Sequence, residues 1–164
     1  MEKVYLRKAE RADVDLLFAW VNDSEVRKNS FNTAKIGYEE HKRWYINCLE
    51  DSNVDIFILC IDNMSIGQIR LNYNSETAVI GYSIDNSFRG RGFGRSILKL
   101  IEQELVSSHP EILVLSGSVK PDNIASKRKF EENGYEKNFV EAKANSYFLY
   151  QKKINRKKKH NNTV

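Results

Sequence analysis

Arg89-Gly90-Arg91-Gly92-Phe93-Gly94 places three glycines within five positions, interleaved with arginine, just before a helical pattern. A helix N-terminus offers backbone N–H groups without intrahelical partners, together with the positive end of the macrodipole. A loop stripped of Cβ atoms lets a diphosphate approach closely enough to accept those hydrogen bonds, and the arginines add positive charge. The chemistry this stretch suits is the holding of a phosphorylated ligand. A tight strand-to-helix turn with surface arginines would use the same residues. Two common phosphate motifs do not fit. A Walker loop needs Gly-Lys-Ser/Thr where the chain has Gly94-Arg95-Ser96, and a dinucleotide fingerprint needs G-x-G-x-x-G after the first strand of its fold.

The elements that must position this loop follow from periodicity. "KVYLRKA" alternates as a first strand, and Val14, Leu17, Phe18 and Val21 mark a helix with Asp13 as its cap. "GYEEHKRWYINCLED" repeats the helical spacing. "VDIFILCI" and "SIGQIRLNY" form a hairpin about Asp62-Asn63, and "TAVIGYSI" is the fourth strand, leading into the glycines. Ile97, Leu98, Ile101 and Leu105 share one face of the next helix. "EILVLSGSV" reads as a strand buried on both faces, and "NIASKRKFEENG" as a helix closed by its glycine. A short strand near Phe139-Val140 and "NSYFLYQKKI" complete a β-α-α-β-β-β-α-β-α-β-β order. The strands on either side of the glycine-rich turn and its helix should run parallel.

Length and composition set the class. A chain of 164 residues, 41% hydrophobic and 29% charged, fits one globular α/β domain. The net charge of +4 belongs to the chain end. Lys152, Lys153, Arg156, Lys157, Lys158 and Lys159 carry six positive charges, and +4 less these six leaves −2 for the residues before them. The domain is therefore read as residues 1–153, followed by a basic, disordered tail over 154–164, with no specific nucleic-acid partner. Nothing approaches a membrane span, and "MEKVYLRKAE" lacks the apolar run of a secretion signal, which points to the cytoplasm and away from membranes. Cys48 and Cys60 lack metal-ligand spacing, so they read as buried free thiols and no metal is expected.

Arg89-x-x-Gly92-x-Gly94 resembles the Q/R-x-x-G-x-G/A signature of the GNAT N-acetyltransferases. "VIGYSIDNSFRGRGFG" is similar to that family's fourth strand and loop, and "NIASKRKFEENGY" to its N-x-x-(A/S)…GY helix. The likeness covers residues 3 to 153. It implies a single-domain GNAT fold, a mixed twisted sheet of six to seven strands flanked by four helices, with acetyl-CoA as acyl donor. Within the family, "AWVNDSEVRKNSFNTAKIGYEEHKRWY" is similar to bacterial nucleotide-amino-sugar acetyltransferases, including those of the pseudaminic acid pathway. It is more distantly similar to enzymes acting on ribosomal-protein N-termini.

The resemblance implies residue roles. Residues of the loop, namely Arg89, Gly90, Arg91, Gly92, Phe93, Gly94 and Arg95, would meet the pyrophosphate. Tyr82, Ser83 and Ile84 would pair with the pantetheine arm, with the Tyr82 N–H polarising the thioester carbonyl, and Asn123 would lie near that arm while also capping its helix. Two departures stand out. Phe130 occupies the place of a tyrosine that serves as acid in many relatives, and Val79 that of a glutamate. The remaining base candidates are Glu76, which also reads as an exposed strand end, and His41, which also reads as a packed histidine. If the amine arrives neutral, positioning alone can carry much of the rate. For the acceptor, the segment "NDSEVRKNSFN" is read as a loop offering Asn22, Arg27, Asn29 and Ser30, with Arg27 suited to bidentate phosphate pairing. Arg70 and Asn72 on the third strand would face the same cleft. The function expected is acetyl transfer to a small-molecule amine, a nucleotide-linked amino-deoxy sugar. A ribosomal-type N-terminal acetyltransferase and a silent acetyl-CoA-binding module are the alternatives, and a homodimer is compatible with each.

Overall fold

A computed structural model describes residues 2–156 of the chain. β1 (Val4–Lys8), β2 (Val54–Ile61), β3 (Met64–Asn74) and β4 (Thr77–Ile84) pair antiparallel in succession. After α4 (Phe93–Ser108), β5 (Val114–Val119) lies parallel to β4. β7 (Tyr147–Lys153) and β6 (Glu136–Val140) close the sheet antiparallel, in the order β1-β2-β3-β4-β5-β7-β6. The sequence reading of a seven-strand mixed sheet with four long helices is the architecture the chain adopts.

β2 shows why this sheet is covered on both faces. Its run of apolar residues alternates between two cores. Phe57, Leu59 and Ile61 join Ile69 and Leu71 of β3 beneath Ile97, Leu98, Ile101 and Leu105 of α4. Ile56, Ile58 and Cys60 turn the other way, under Leu17 and Trp20 of α1 (Val14–Val21) and Tyr45 of α3 (Tyr38–Glu50). Cys48 and Cys60 are both buried free thiols.

Three local readings are corrected. Asp13 does not cap α1 through its side chain. Its carboxylate instead takes two hydrogen bonds from Arg7, both 2.8 Å, and one from the Glu10 N–H. Residues 22–32 are not simply a loop, because α2 (Ser24–Asn29) forms there, capped by the Asp23 side chain at the N–H groups of Glu25 and Val26. The folded body also extends past residue 153. Ile154 N–H donates to Leu113 O, and the Arg156 guanidinium donates to the carbonyls of Val106, His109 and Ile112 at the end of α4. The rest of the basic tail, residues 157–164, lies outside the described residues.

Candidate active site

β4 and β5 pair only at Thr77–Val114, Ala78–Leu115 and Val79–Ser116, and beyond that point they separate. Strand alternation decides which backbone groups face the gap. Asp85 N–H bonds Ile66 O, and the Ser83 carbonyl lies against Gly67, so Ser83 and Gly81 turn their polar backbone toward β3. Tyr82 and Ile84 then turn theirs to the open side. Ile84 O is taken by Arg89 Nε at 3.0 Å, which leaves the Tyr82 N–H directed into the gap. A cleft of about 740 Å³ runs through this opening, a volume suited to a substrate-sized ligand.

At one end of the cleft the glycine-rich turn delivers the chain into α4. Gly90 and Gly92 have φ of +74° and +86°, with nothing within 4 Å of where a Cβ would stand. Gly92 is the N-cap of α4 in a left-handed conformation that L side chains adopt only at a cost. Among the described residues, the N–H groups of Gly90, Arg91, Gly92, Phe93 and Gly94 meet no protein acceptor. Five free donors in an open turn fit a diphosphate. Gly94 works differently from the expectation that it clears space for ligand. Its missing Cβ would stand 3.2 Å from Lys129 Cγ, so it also lets α4 and α5 (Ile124–Glu132) approach.

The arginines of the turn divide. Arg89 is held by Asp23 Oδ1 at 2.8 Å as well as by Ile84 O, so it straps the loop to the N-cap of α2. Arg91 is exposed and lies over the Phe88 ring, while Arg95 faces a separate groove between α4 and β7. Phe93 packs edge-on to Phe88 on the cleft wall.

On the α5 side of the gap, Tyr82 Oη lies 3.2 Å from Ser126 Oγ, and burial pushes the phenol up to about 12. Asn123 lines the cleft and accepts from Ser126 N–H, so it is a cap at the cleft wall. Phe130 is buried, stacked on Tyr150 with centroids 5.2 Å apart and edge-on to Tyr135 and Tyr82. Its ring tip would lie 2.5 Å from a Cβ on Gly117, which explains that glycine on β5.

The acceptor side gathers fewer of the expected residues. Asn22 does not line the cleft, because its amide clamps Ile36 by donating to Ile36 O and accepting from Ile36 N–H. Arg27 lines it, but its guanidinium already donates to Val21 O, Asn32 O, Ala34 O and Ser30 Oγ, so it is not the free phosphate fork expected. Ser30 in turn donates to Val26 O. Asn29, Ser83, Ile84 and Arg70 line the cleft, whereas Asn72 is exposed outside it and accepts from Arg70 Nε at 3.0 Å.

Neither base candidate reaches the gap. Glu76 sits exposed in the β3–β4 turn, at the end where β4 and β5 are joined, and its carbonyl accepts from Leu113 and Val114. His41 is only 2% exposed, beneath α1, with Nε2 3.1 Å from Val14 O. Burial pushes its pKa down, so it stays neutral. Sequence reasoning missed Ser126, Lys129, Phe31 and Glu25 on the cleft wall. Ser126 was legible in principle, three residues after the cap Asn123. Glu25 and Phe31 depended on α2, which was read as loop. Among the described residues, no three His, Cys, Asp or Glu side chains gather as metal ligands would, and no helix is long and apolar enough to cross a membrane.

The Acetyltransferase (GNAT) domain family matches the chain over residues 3–136. No curated protein matches it in sequence. Among solved structures, the aminoglycoside acetyltransferase AAC(6')-Ib with ribostamycin and coenzyme A superposes with a TM-score of 0.81 at 18% identity, covering 92% of this chain and 93% of that one. A spermidine N-acetyltransferase from Vibrio cholerae with CoA and spermine gives 0.80 at 17% identity over 92% and 95% of the chains. An acetyltransferase from Salmonella typhimurium that modifies the N-terminal serine of ribosomal protein L7/L12 gives 0.77 at 17% over 93% and 95%.

Proposed function

The chain belongs to the GNAT acetyltransferase family, which makes it an acetyl-CoA-dependent N-acetyltransferase, and from that premise we propose that its acceptor is an anionic small molecule, a nucleotide-linked amino-deoxy sugar. The observation that carries this reading is the charge of the cleft. Among the described residues its lining holds Arg27, Arg70, Arg89 and Lys129 against Glu25. Arg89 is paired with Asp23 and Lys129 with Glu132, so the excess positive charge rests on Arg27 and Arg70. Structural neighbours are complexes with spermine or with aminoglycosides such as kanamycin, which are polycations. A polycation, or the ammonium of a peptide N-terminus, would meet like charge here. An amine attached to a phosphorylated carrier would meet opposite charge.

The same field simplifies proton handling. Nearby cations disfavour an ammonium, so the amine enters closer to its reactive neutral form, and water can remove the remaining proton. Acetyl-CoA supplies the acetyl group, activated as a thioester. The free N–H groups from Gly90 to Gly94 suit its diphosphate, and the open edge of β4 suits its amides. The Tyr82 N–H faces the gap as a donor for developing negative charge on the carbonyl oxygen. Phe130 has no proton to give. The Tyr82 phenol, beside Ser126, takes the acid's part toward the leaving thiolate, and the proton shed by the amine returns to it through water.

Release of free thiol from acetyl-CoA across a panel of amines tests the proposal. A UDP-linked amino sugar should be used with kcat/KM about 100-fold above spermidine, kanamycin or an N-terminal serine peptide. Preference for any of those cations would overturn it, and the absence of thiol release with every acceptor in the panel would favour the silent module.

A further inference from the structure

We infer that Arg70 is the receptor for an oxyanion of the acceptor, gripping it with the two free Nη groups of a guanidinium held rigid for that purpose. The inference rests on the anionic-acceptor reading above and assigns the group that enforces it.

Arg70 lies on β3 opposite Ile56 on one side and Gly81 on the other. Its side chain therefore rises on the face of the sheet beneath α3, one residue from Tyr82, at the cleft floor. Two contacts fix it without neutralising it. Nε donates to Asn72 Oδ1 at 3.0 Å, and the guanidinium lies over the Trp44 ring, 5.2 Å from its centroid. Gly81, having no side chain, leaves room for Nη2, which stands 3.6 Å from the place a Cβ would take.

No carboxylate lies against this cation among the described residues, and the one titratable side chain whose charge would act on it is Cys48. Burial pushes the Cys48 thiol up, so it remains protonated and offers no counter-charge. Burial also pulls the Arg70 pKa down, as it does for a partly desolvated cation without an ion-pair partner. The other cleft arginines contrast with it. Arg27 and Arg89 donate to internal acceptors through three nitrogens each, whereas neither Nη of Arg70 has a protein acceptor among the described residues.

A partly buried, uncompensated charge is costly, and a rigid planar fork is the group that best repays that cost by meeting a phosphate or carboxylate two-pronged. The donor's diphosphate is not that anion. Its nest of free N–H groups lies past the end of β4, whereas Arg70 sits at mid-strand beside the gap. The oxyanion belongs to the acceptor, and in a nucleotide-linked sugar it is a phosphate.

Arg70→Met keeps the stem and removes the charge, and Arg70→Lys keeps the charge and removes the fork. With acetyl-CoA as donor, Arg70→Met should raise KM for the UDP-linked amino sugar by 10- to 100-fold, roughly the worth of a charge-assisted bidentate contact. The KM for acetyl-CoA should be unchanged, and Arg70→Lys should recover less than a tenth of the loss. UDP binding, measured calorimetrically with CoA saturating so that the loop site is filled, should weaken by the same factor in Arg70→Met. Where the wild type binds UDP, equal UDP affinity in the folded variant would overturn the inference. If the wild type instead prefers another phosphorylated or carboxylated amine, and Arg70→Met raises its KM, Arg70 keeps its role and only the nucleotide-sugar reading falls. If Arg70→Met leaves the KM of every acceptor unchanged, the inference is wrong whichever acceptor is used.

Discussion

Phe130 and His41 show how side-chain surroundings reassign residues whose types alone suggest chemistry. At residue 130 a hydroxyl has no room, because the ring tip already presses on Gly117. Phe130→Tyr should therefore overpack the core, cost about 1–3 kcal/mol by thermal melting, and give no gain in rate. Tyr82→Phe, which keeps the ring and its packing, should lower kcat by about 100-fold with the acetyl-CoA KM unchanged. An unchanged kcat would remove Tyr82 from the acid role. His41 is held neutral by burial, so its pKa is lower in the fold than the roughly 6.5 of the unfolded chain. Its contribution to stability is full above that value. It is lost as pH falls through the folded value, because only the unfolded chain gains the proton readily in between. His41→Phe should flatten this part of the melting-temperature profile and leave the pH dependence of kcat/KM as it was. A shifted rate profile would put His41 back into the chemistry. The sequence supplied both readings of His41, and only its depth beneath α1 separates them.

At the scale of elements, the glycine-rich turn was the most legible part of the chain, since positive φ at Gly90 and Gly92 and free N–H groups follow from the residue types. The strap across it was not legible. Arg89 and Asp23 are 66 residues apart in sequence and 2.8 Å apart in space. Nothing in periodicity reports that pairing, and it takes from Arg89 the freedom that the motif suggests. Trp20 makes a parallel link, its Nε1 donating to Asp85 Oδ2 at 2.8 Å. The glycine-rich turn and α2 are thus tied together along the wall of the cleft. Asp23→Asn should retain the cap of α2, since asparagine caps well, while losing the ion pair, at a cost of about 1 kcal/mol. The acceptor KM should rise and the acetyl-CoA KM should not. A parallel rise in both would mean that Arg89 and Asp23 serve the donor site directly. α2 itself was within reach of the sequence. Asp23-Ser24-Glu25 is a cap followed by an acidic first turn, hidden because the six residues that follow are too few to show a period.

For the whole molecule, the order of the strands and of the longer helices could be read from apolar spacing, because each of them is long enough to repeat its pattern. The end of the domain could not, because a basic run looks the same whether solvated or bound. Arg156 donates to four carbonyls at and just past the end of α4, those of Leu105, Val106, His109 and Ile112, so Arg156→Ala should cost about 1–3 kcal/mol, whereas truncation just after Arg156 should keep the melting temperature of the full chain. No change in Arg156→Ala would show that the contact adds nothing to stability. The cleft is where local and global features meet. Its glycine-rich end was legible as a motif, while the charge of its other end depends on which cations the fold leaves without partners. The most direct test of the account is a single-pot competition. Equimolar UDP-linked amino sugar, spermidine, kanamycin and N-terminal serine peptide would share one limited supply of acetyl-CoA, with acetylated products counted by mass, so that product ratios report relative kcat/KM. The account predicts that the acetylated nucleotide sugar dominates by about 100-fold. Acetyl groups found chiefly on spermidine, kanamycin or the peptide would contradict it.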